Sequence, residues 1–412
     1  MLGHDLSIRR QRPRGDARPD LAATIRRLGL GMLFAALIAS CGGGVDSGGT
    51  GAPSTSFASG PITGFGSVIV NDVHFDASGA TVTDGDGNAH AQSDLRIGMT
   101  TDVRGSAISV DADGASVSTA TGIVFSSEIV GPISANSLSA RTLTVLGQTI
   151  DIATTTAFDA SLVGGQAALG VGDVAEVYGR FDAATVRYAA TRIERRSPVA
   201  ADRLRGIVSG LDTSARTFSI GATRISYAGV SNLPSTLANG RFVRVAFTLV
   251  PSGQVWNAIA IVDATEMIED RDEVKIKGLV SAFTSSTQFS VNGTAVDARA
   301  AQFQNGSSGL ALGARVEVEG ATVSGVLVAT RVTLITDGDE AGESFEVRDV
   351  ITSLDTVALT FVAHGVVVSY SGTVDFRDGS AADLAVGRMV EARGTLSPDG
   401  TKLQASRITF RN

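Results

Sequence analysis

The sequence predicts an all-β protein built of five small barrels in tandem, preceded by a disordered or helical N-terminal leader. Three observations carry this. A stretch of the form Leu-x-x-Gly followed by alternating apolar and polar residues recurs five times, at Leu95–Gly105, Leu169–Gly179, Leu237–Phe247, Leu310–Gly320 and Leu384–Gly394. Its first glycines, Gly98, Gly172, Gly240, Gly313 and Gly387, are spaced by 74, 68, 73 and 74 residues, the mark of a tandem array. Glycine is abundant (48 residues), aromatics are few (5%) and hydrophobic residues (43%) suffice for packed cores, a composition that suits short strands joined by many turns.

The elements follow in chain order. Seven arginines, from Arg9 to Arg27, precede an apolar run, Leu28 to Ile38, that is too short to span a bilayer and suits a secretory signal. Residues 1–40 are therefore read as a signal peptide. The run ends in Ile38-Ala39-Ser40-Cys41, which resembles the lipobox of bacterial lipoproteins, in which the cysteine is lipidated and becomes the mature N-terminus. Cys41 is the only cysteine, so an intrachain disulfide or a cysteine-based metal site is excluded. Residues 41–59, rich in Gly, Ser and Thr, read as a flexible tether. No Asp follows Cys41, which by the same resemblance implies an outer-membrane lipoprotein facing the periplasm or the cell surface.

Five units then span 60–124, 126–196, 203–264, 272–336 and 344–410. Each opens on a Gly-x-Ile/Val-like step: Gly60-Pro61-Ile62, Gly131-Pro132-Ile133, Gly206-Ile207-Val208 and Gly278-Leu279-Val280, with Asp349 in place of the glycine in the fifth. A strand–turn–strand hairpin follows, clearest at Asn292-Gly293, a strong hairpin signal. A phenylalanine (Phe158, Phe303, Phe376) precedes three signatures, and three closing strands share Ala-Thr/Ser-Arg-Ile/Val around Arg192, Arg331 and Arg407. Those arginines are expected to pair with carboxylates of neighbouring strands. In the signature itself, alternation as in Val316-Glu317-Val318-Glu319 makes a half-buried strand, and the closing glycine permits a bulge. Unit three departs there, with Phe247.

A sheet this small must close on itself to bury one face and hide its edges. The economical solution is a five- to six-stranded barrel like the oligonucleotide- and oligosaccharide-binding (OB) fold. Short charged connectors, Ser197–Asp202, Met267–Asp272 and Thr336–Gly342, suggest a beads-on-a-string rod of separate cores. The opening step, the hairpin, the Leu-x-x-Gly signature and the Ala-Thr-Arg-Ile ending together resemble the family known as domain of unknown function 5666 (DUF5666). The resemblance implies an address in bacterial envelope lipoproteins and no activity.

Function is read from what recurs. Without the leader the chain holds 27 basic and 39 acidic side chains, a formal −12, which repels phosphate backbones and disfavours nucleic acid as a partner. His74, His90 and His364 lack metal-ligand spacing, and no nucleophile elbow or phosphate-binding loop is present. Asp84-Gly85-Asp86-Gly87-Asn88 places oxygens at alternating positions, as calcium loops do, but lacks a bidentate carboxylate at the right distance and reads as a turn. Asp337, Asp339, Glu340 and Glu343 read as a solvated connector. Structural residues repeat while no reactive set does. The expectation is a non-catalytic envelope lipoprotein without cofactor or metal, membrane-attached through Cys41, acting as a spacer or interaction scaffold for an envelope glycan or protein. A barrel face binding carbohydrate or peptide is the first alternative; Trp256 and Tyr227 of unit three are the best candidates for a sugar-stacking platform, although core or edge packing is the expected role of both. An enzyme with its site in a divergent unit is the second.

Overall fold

The computed structural model describes residues 54–197, 199–248, 255–265, 268–336 and 344–411. The signal peptide, Cys41, the tether as far as residue 53 and the acidic connector 337–343 lie outside the described residues. All five barrels belong to one unit, Pro53–Asn412.

Barrel 1 is made of Thr55–Phe65, Val68–Val70, Val73–Asp76, Thr100–Ser106 and Ser116–Phe125. Barrel 2 has Ile129–Ser137, Thr142–Val145, Gln148–Phe158, Val174–Asp182 and Arg187–Arg196. Barrel 3 has Asp202–Asp212, Thr217–Ile220, Thr223–Ser226, Phe242–Phe247 and Val255–Asp263. Barrel 4 has Arg271–Ser285, Gln288–Val291, Thr294–Asp297, Arg315–Val323 and Val326–Leu334. Barrel 5 has Phe345–Asp355, Thr360–Ala363, Val366–Ser369, Met389–Leu396 and Leu403–Phe410.

In barrel 1 the strands pair in the cycle first, second, third, fifth, fourth, first, with only the third–fifth step parallel. Barrels 2 and 3 repeat the cycle, as do barrels 4 and 5. Closure in this order is the OB-like barrel.

The signature performs the closure. All five first glycines are left-handed, with φ between 79° and 93°. Each donates its N–H to the first strand: Gly98 to Ile62 O, Gly172 to Ile133 O, Gly240 to Val208 O, Gly313 to Val280 O and Gly387 to Ile351 O, all at 2.8–2.9 Å. The same first-strand residue donates back to the residue after the glycine, as Ile62 does to Met99 O at 2.9 Å. Only a backbone turned through positive φ presents N–H and carbonyl to one partner in this way, which is why glycine holds the position. Further along, the strand bulges: the register slips at Gly105, Gly179, Gly320 and Gly394, and also at Phe247. A Cβ at Gly394 would collide with Gln404 O, and one at Gly320 with Val328 O. In barrel 3, Phe247 is fully buried at the bulge and packs its ring 5.7 Å from Trp256.

The departure at Asp349 is compensated within its barrel. The opening glycine leaves room for the first residue of the second–third turn, so Asn71 lies over Gly60 and Asn292 over Gly278. In barrel 5 the turn residue is His364, and its Nδ1 sits 2.9 Å from Asp349 Oδ2, so a bonded pair fills the same place. The recurring phenylalanines all pair beside the closing strand, Phe158 with Ile193, Phe303 with Val332 and Phe376 with Ile408.

The rod expectation is overturned. The first strand of barrel 1 pairs in parallel with that of barrel 4 (Ser56 with Glu273 through Ser59 with Ile276) and with that of barrel 5 (Gly64 with Glu346, Phe65 with Val347). The first strands of barrels 2 and 3 pair antiparallel through Arg203–Val130 and Leu204–Ile129. Buried apolar side chains run continuously through barrels 1 and 5 and through barrels 2 and 3, and Phe57 of barrel 1 joins the core of barrel 4. Each barrel leaves part of its long first strand unpaired on one side, and an open edge is a template for another strand. The connectors are short enough for sister barrels to supply it. The tether is corrected for the same reason: Thr55–Ser59 belongs to the strand, with Phe57 and Ala58 buried.

Two glycines separate local strain from steric exclusion. Gly387 has φ 87° with nothing near its missing Cβ, so Gly387→Ala should cost about 1–2 kcal/mol. Gly394→Ala meets a carbonyl and should cost roughly 3–4 kcal/mol, read as the larger fall in denaturation midpoint. Equal losses would contradict this account of the signature.

Candidate functional site

A cavity of about 800 Å³ forms a groove between the outer faces of barrels 1 and 5. Alternation builds both walls. In barrel 1, Val73 and Phe75 point into the core, which turns His74 and Asp76 outward, and Asp72 joins them from the turn before the strand. Ser67 and Ile69 of the second strand and the hairpin from Ser106 to Thr119 complete that wall. In barrel 5, Phe345 and Val347 are buried, which leaves Glu346 and Arg348 facing out beside Glu391 and Arg393. The register sets Glu346 opposite Arg393 and Arg348 opposite Glu391, a checkerboard of charge.

The barrel 5 wall is held by ion pairs. Arg393 reaches Glu346 at 3.0 Å and Glu391 at 2.9 Å, and Arg411 reaches Glu391 at 2.7 Å. Burial pushes the Glu346 carboxyl above its ordinary range, with Arg393 opposing the shift. Burial pushes Glu391 the same way, but hydrogen bonds from Arg411 and Arg393 outweigh it and the carboxyl ends below its usual range. The guanidinium of Arg411 is in turn held more firmly charged by its bond to Glu391. The wall therefore presents fixed donors and acceptors rather than mobile charges.

Gly64-Phe65-Gly66 positions the two walls. A Cβ at Gly64 would lie 2.5 Å from Glu346 O, and one at Gly66, where φ is 121°, 2.6 Å from Arg348 Cβ. Both glycines admit the first strand of barrel 5. Phe65, 2% exposed, stacks on His364 with centroids 4.5 Å apart.

The remaining residues singled out by the sequence have structural settings. Asp84–Asn88 forms a turn in which Asp84 Oδ1 accepts the N–H groups of Asp86 and Asn88, both at 2.9 Å. Asp86 then pairs with Arg203 at 3.1 Å and Arg244 at 3.5 Å, which docks barrel 1 on barrel 3. His90 lies between Asp84 and Asp94, and His74 Nδ1 is 3.2 Å from Ser67 Oγ, so the three histidines occupy three separate settings. Arg331 pairs with Glu319 of the neighbouring strand and Arg407 with Asp375. Arg192 is 5% exposed, pairs with Glu194 at 2.6 Å and donates to Ile97 O of barrel 1 at 3.1 Å. Tyr227 is buried with its hydroxyl on Asp212 O, and Trp256 packs on Phe247. Tyr227 is thus a core residue, and Trp256 is half-buried at its edge. Among the described residues no group of three or more His, Cys, Asp or Glu side chains is placed to hold a metal ion.

The family described as "Domain of unknown function (DUF5666)" matches residues 130–194, 277–333 and 350–409, which fall in barrels 2, 4 and 5. Three segments of this chain are thus similar to the DUF5666 domain. Barrels 1 and 3 share its strand cycle without matching it. No curated protein matches. A solved structure titled "drosophila Unr CSD456" aligns at 13% identity over 51% of this chain and 97% of its own, with a TM-score of 0.14.

The groove residues of barrel 5 were missed by sequence reasoning. The signal was present as Glu-Val-Arg at 346–348 and Glu-Ala-Arg at 391–393, which alternation turns to one face. Nothing in the sequence announced that barrel 1 would lie against that face.

Perturbed carboxylates can mark functional sites, and Asp202 shows the structural kind. It is 1% exposed, its Oδ2 has no partner among the described residues, and burial pushes its pKa up to about 6. The folded state thus binds this proton more tightly than the unfolded chain, so its charge costs stability above about pH 6 and the cost fades toward pH 4. Asp202→Asn should raise the melting temperature at pH 8 and leave it nearly unchanged at pH 4. A gain of equal size at both pH values would count against the burial account.

Proposed function

We propose that this protein is a non-catalytic scaffold of the cell envelope that binds a partner in the groove between barrels 1 and 5. The groove carries the reading. It is roomy, at about 800 Å³, it lies on the second- and third-strand face of barrel 1 that OB-like barrels use for ligands, and its polar groups are held in place by ion pairs. The joined barrels supply rigidity: three first-strand seams lock the body, so the groove walls keep their spacing. Attachment would run through a lipid on Cys41 at the outer membrane. The lipobox-like Ile38–Cys41 after an arginine-rich stretch and an apolar run, with Gly42 rather than Asp following Cys41, supports that address.

Two experiments test this. Ser109 is exposed on the groove rim, and Ser109→Trp should fill the groove without entering a core. Envelope material captured by the leaderless protein should be lost with Ser109→Trp while the melting temperature holds. Capture that is indifferent to the substitution would move binding elsewhere. For the address, cells carrying Cys41→Ser should release the protein from the membrane fraction, and retention would refute the anchor.

A further inference from the structure

We infer that the occupant of this groove is an extended polypeptide segment rich in lysine or arginine. The inference rests on the groove being the binding site and goes beyond it by naming the ligand chemistry. Charge decides first. The barrel 5 wall is balanced within itself, because Glu346 and Glu391 are engaged by Arg393 and Arg411. The barrel 1 wall is less so: Asp72, Asp76, Asp111 and Asp113 line it, none at ion-pair distance from a cation among the described residues, with Asp72 acting on Lys275 and Asp113 on Arg411 only from further off. Only Arg348 adds a further positive charge to the lining. The groove as a whole therefore attracts cations, and its low-dielectric walls strengthen the attraction over that of an open acidic surface.

Geometry decides between cationic ligands. His74 and Asp76 stand one two-residue step apart on the outward face of the third strand, and Asp72 lies in the turn just before it. Such a step is about 6.5–7 Å, which is also the spacing of alternate side chains in an extended peptide. A strand-like segment lying along this wall would run past Asp72 in the turn and Asp76 at the strand end, with basic side chains within reach of both carboxylates. A neutral glycan is less well served. Ring stacking needs an open aromatic face, and Phe65, the aromatic ring of the lining other than His74, is 2% exposed and already stacked on His364.

The test uses the leaderless chain and three probes: the hexapeptides (Lys-Ser)3 and (Glu-Ser)3, and an N-acetylglucosamine tetramer, each titrated by calorimetry at low and moderate salt. The lysine peptide should bind at least about tenfold more tightly than either other probe and weaken as salt rises. Asp72→Asn with Asp76→Asn should reduce its affinity about five- to tenfold, and Arg348→Glu should increase it. Glu269→Gln with Asp270→Asn, remote from the groove, should leave it unchanged. An equal loss in that remote variant would reduce the binding to general acidity and overturn the inference. If the tetramer or the glutamate peptide binds best and Ser109→Trp abolishes it, the cationic inference fails while the groove stands as the site. If Ser109→Trp affects none of the probes, both readings fail.

Discussion

An unpaired strand edge is the constraint on which the rest of this structure depends. Closing a five-stranded OB-like barrel leaves the long first strand with one free side along each half. In barrel 1 the Thr55–Phe65 strand pairs with its own fourth strand through Thr55–Pro61 and with its own second strand from Ile62 to Gly64. Its remaining edge is taken by barrel 4 beside Ser56–Ser59 and by barrel 5 beside Gly64–Phe65. One strand thus holds three barrels together, and backbone hydrogen bonds that would otherwise go to water set the angle at which barrel 5 faces barrel 1. The groove is a product of that angle.

The seams explain why the chain departs from its own consensus where it does. Gly64 and Gly66 look like turn residues, yet both stand where the first strand of barrel 5 leaves no space for a side chain. Asp349 breaks the opening step and His364 answers it from the neighbouring turn, which also brings the His364 ring onto Phe65 of barrel 1. Asp86, part of a turn that resembles a calcium loop, spends its carboxylate on Arg203 and Arg244 of barrel 3. Arg192 keeps the shared ending of its strand while reaching a carbonyl of barrel 1. In each case a residue that serves its own barrel has been turned to hold a neighbour.

Much of the fold was legible because barrel closure is local. The left-handed glycine, the bulge that follows it and the period-two strand lie within eleven residues, and each follows from backbone sterics and alternation. The site was less legible. Its residues come from the third strand and last hairpin of one barrel and from the first and fourth strands of another nearly 300 positions away in the chain. Tyr227 and Trp256, the rare aromatics of barrel 3, take the packing role: Tyr227 is buried and Trp256 is half-buried against Phe247.

By itself the sequence determined the number of barrels, their strand pattern, the glycines that close them and the charge of each outward face, since all of these are set by residues close together along the chain. Tertiary structure alone decided that the barrels would join rather than string out, which faces would be covered and where a groove would remain. The reason is that a free strand edge specifies the need for a partner without specifying which partner. Five near-identical barrels offer many candidate edges, and the choice among them rests on contacts such as Gly64 against Glu346 that exist only once the barrels have met.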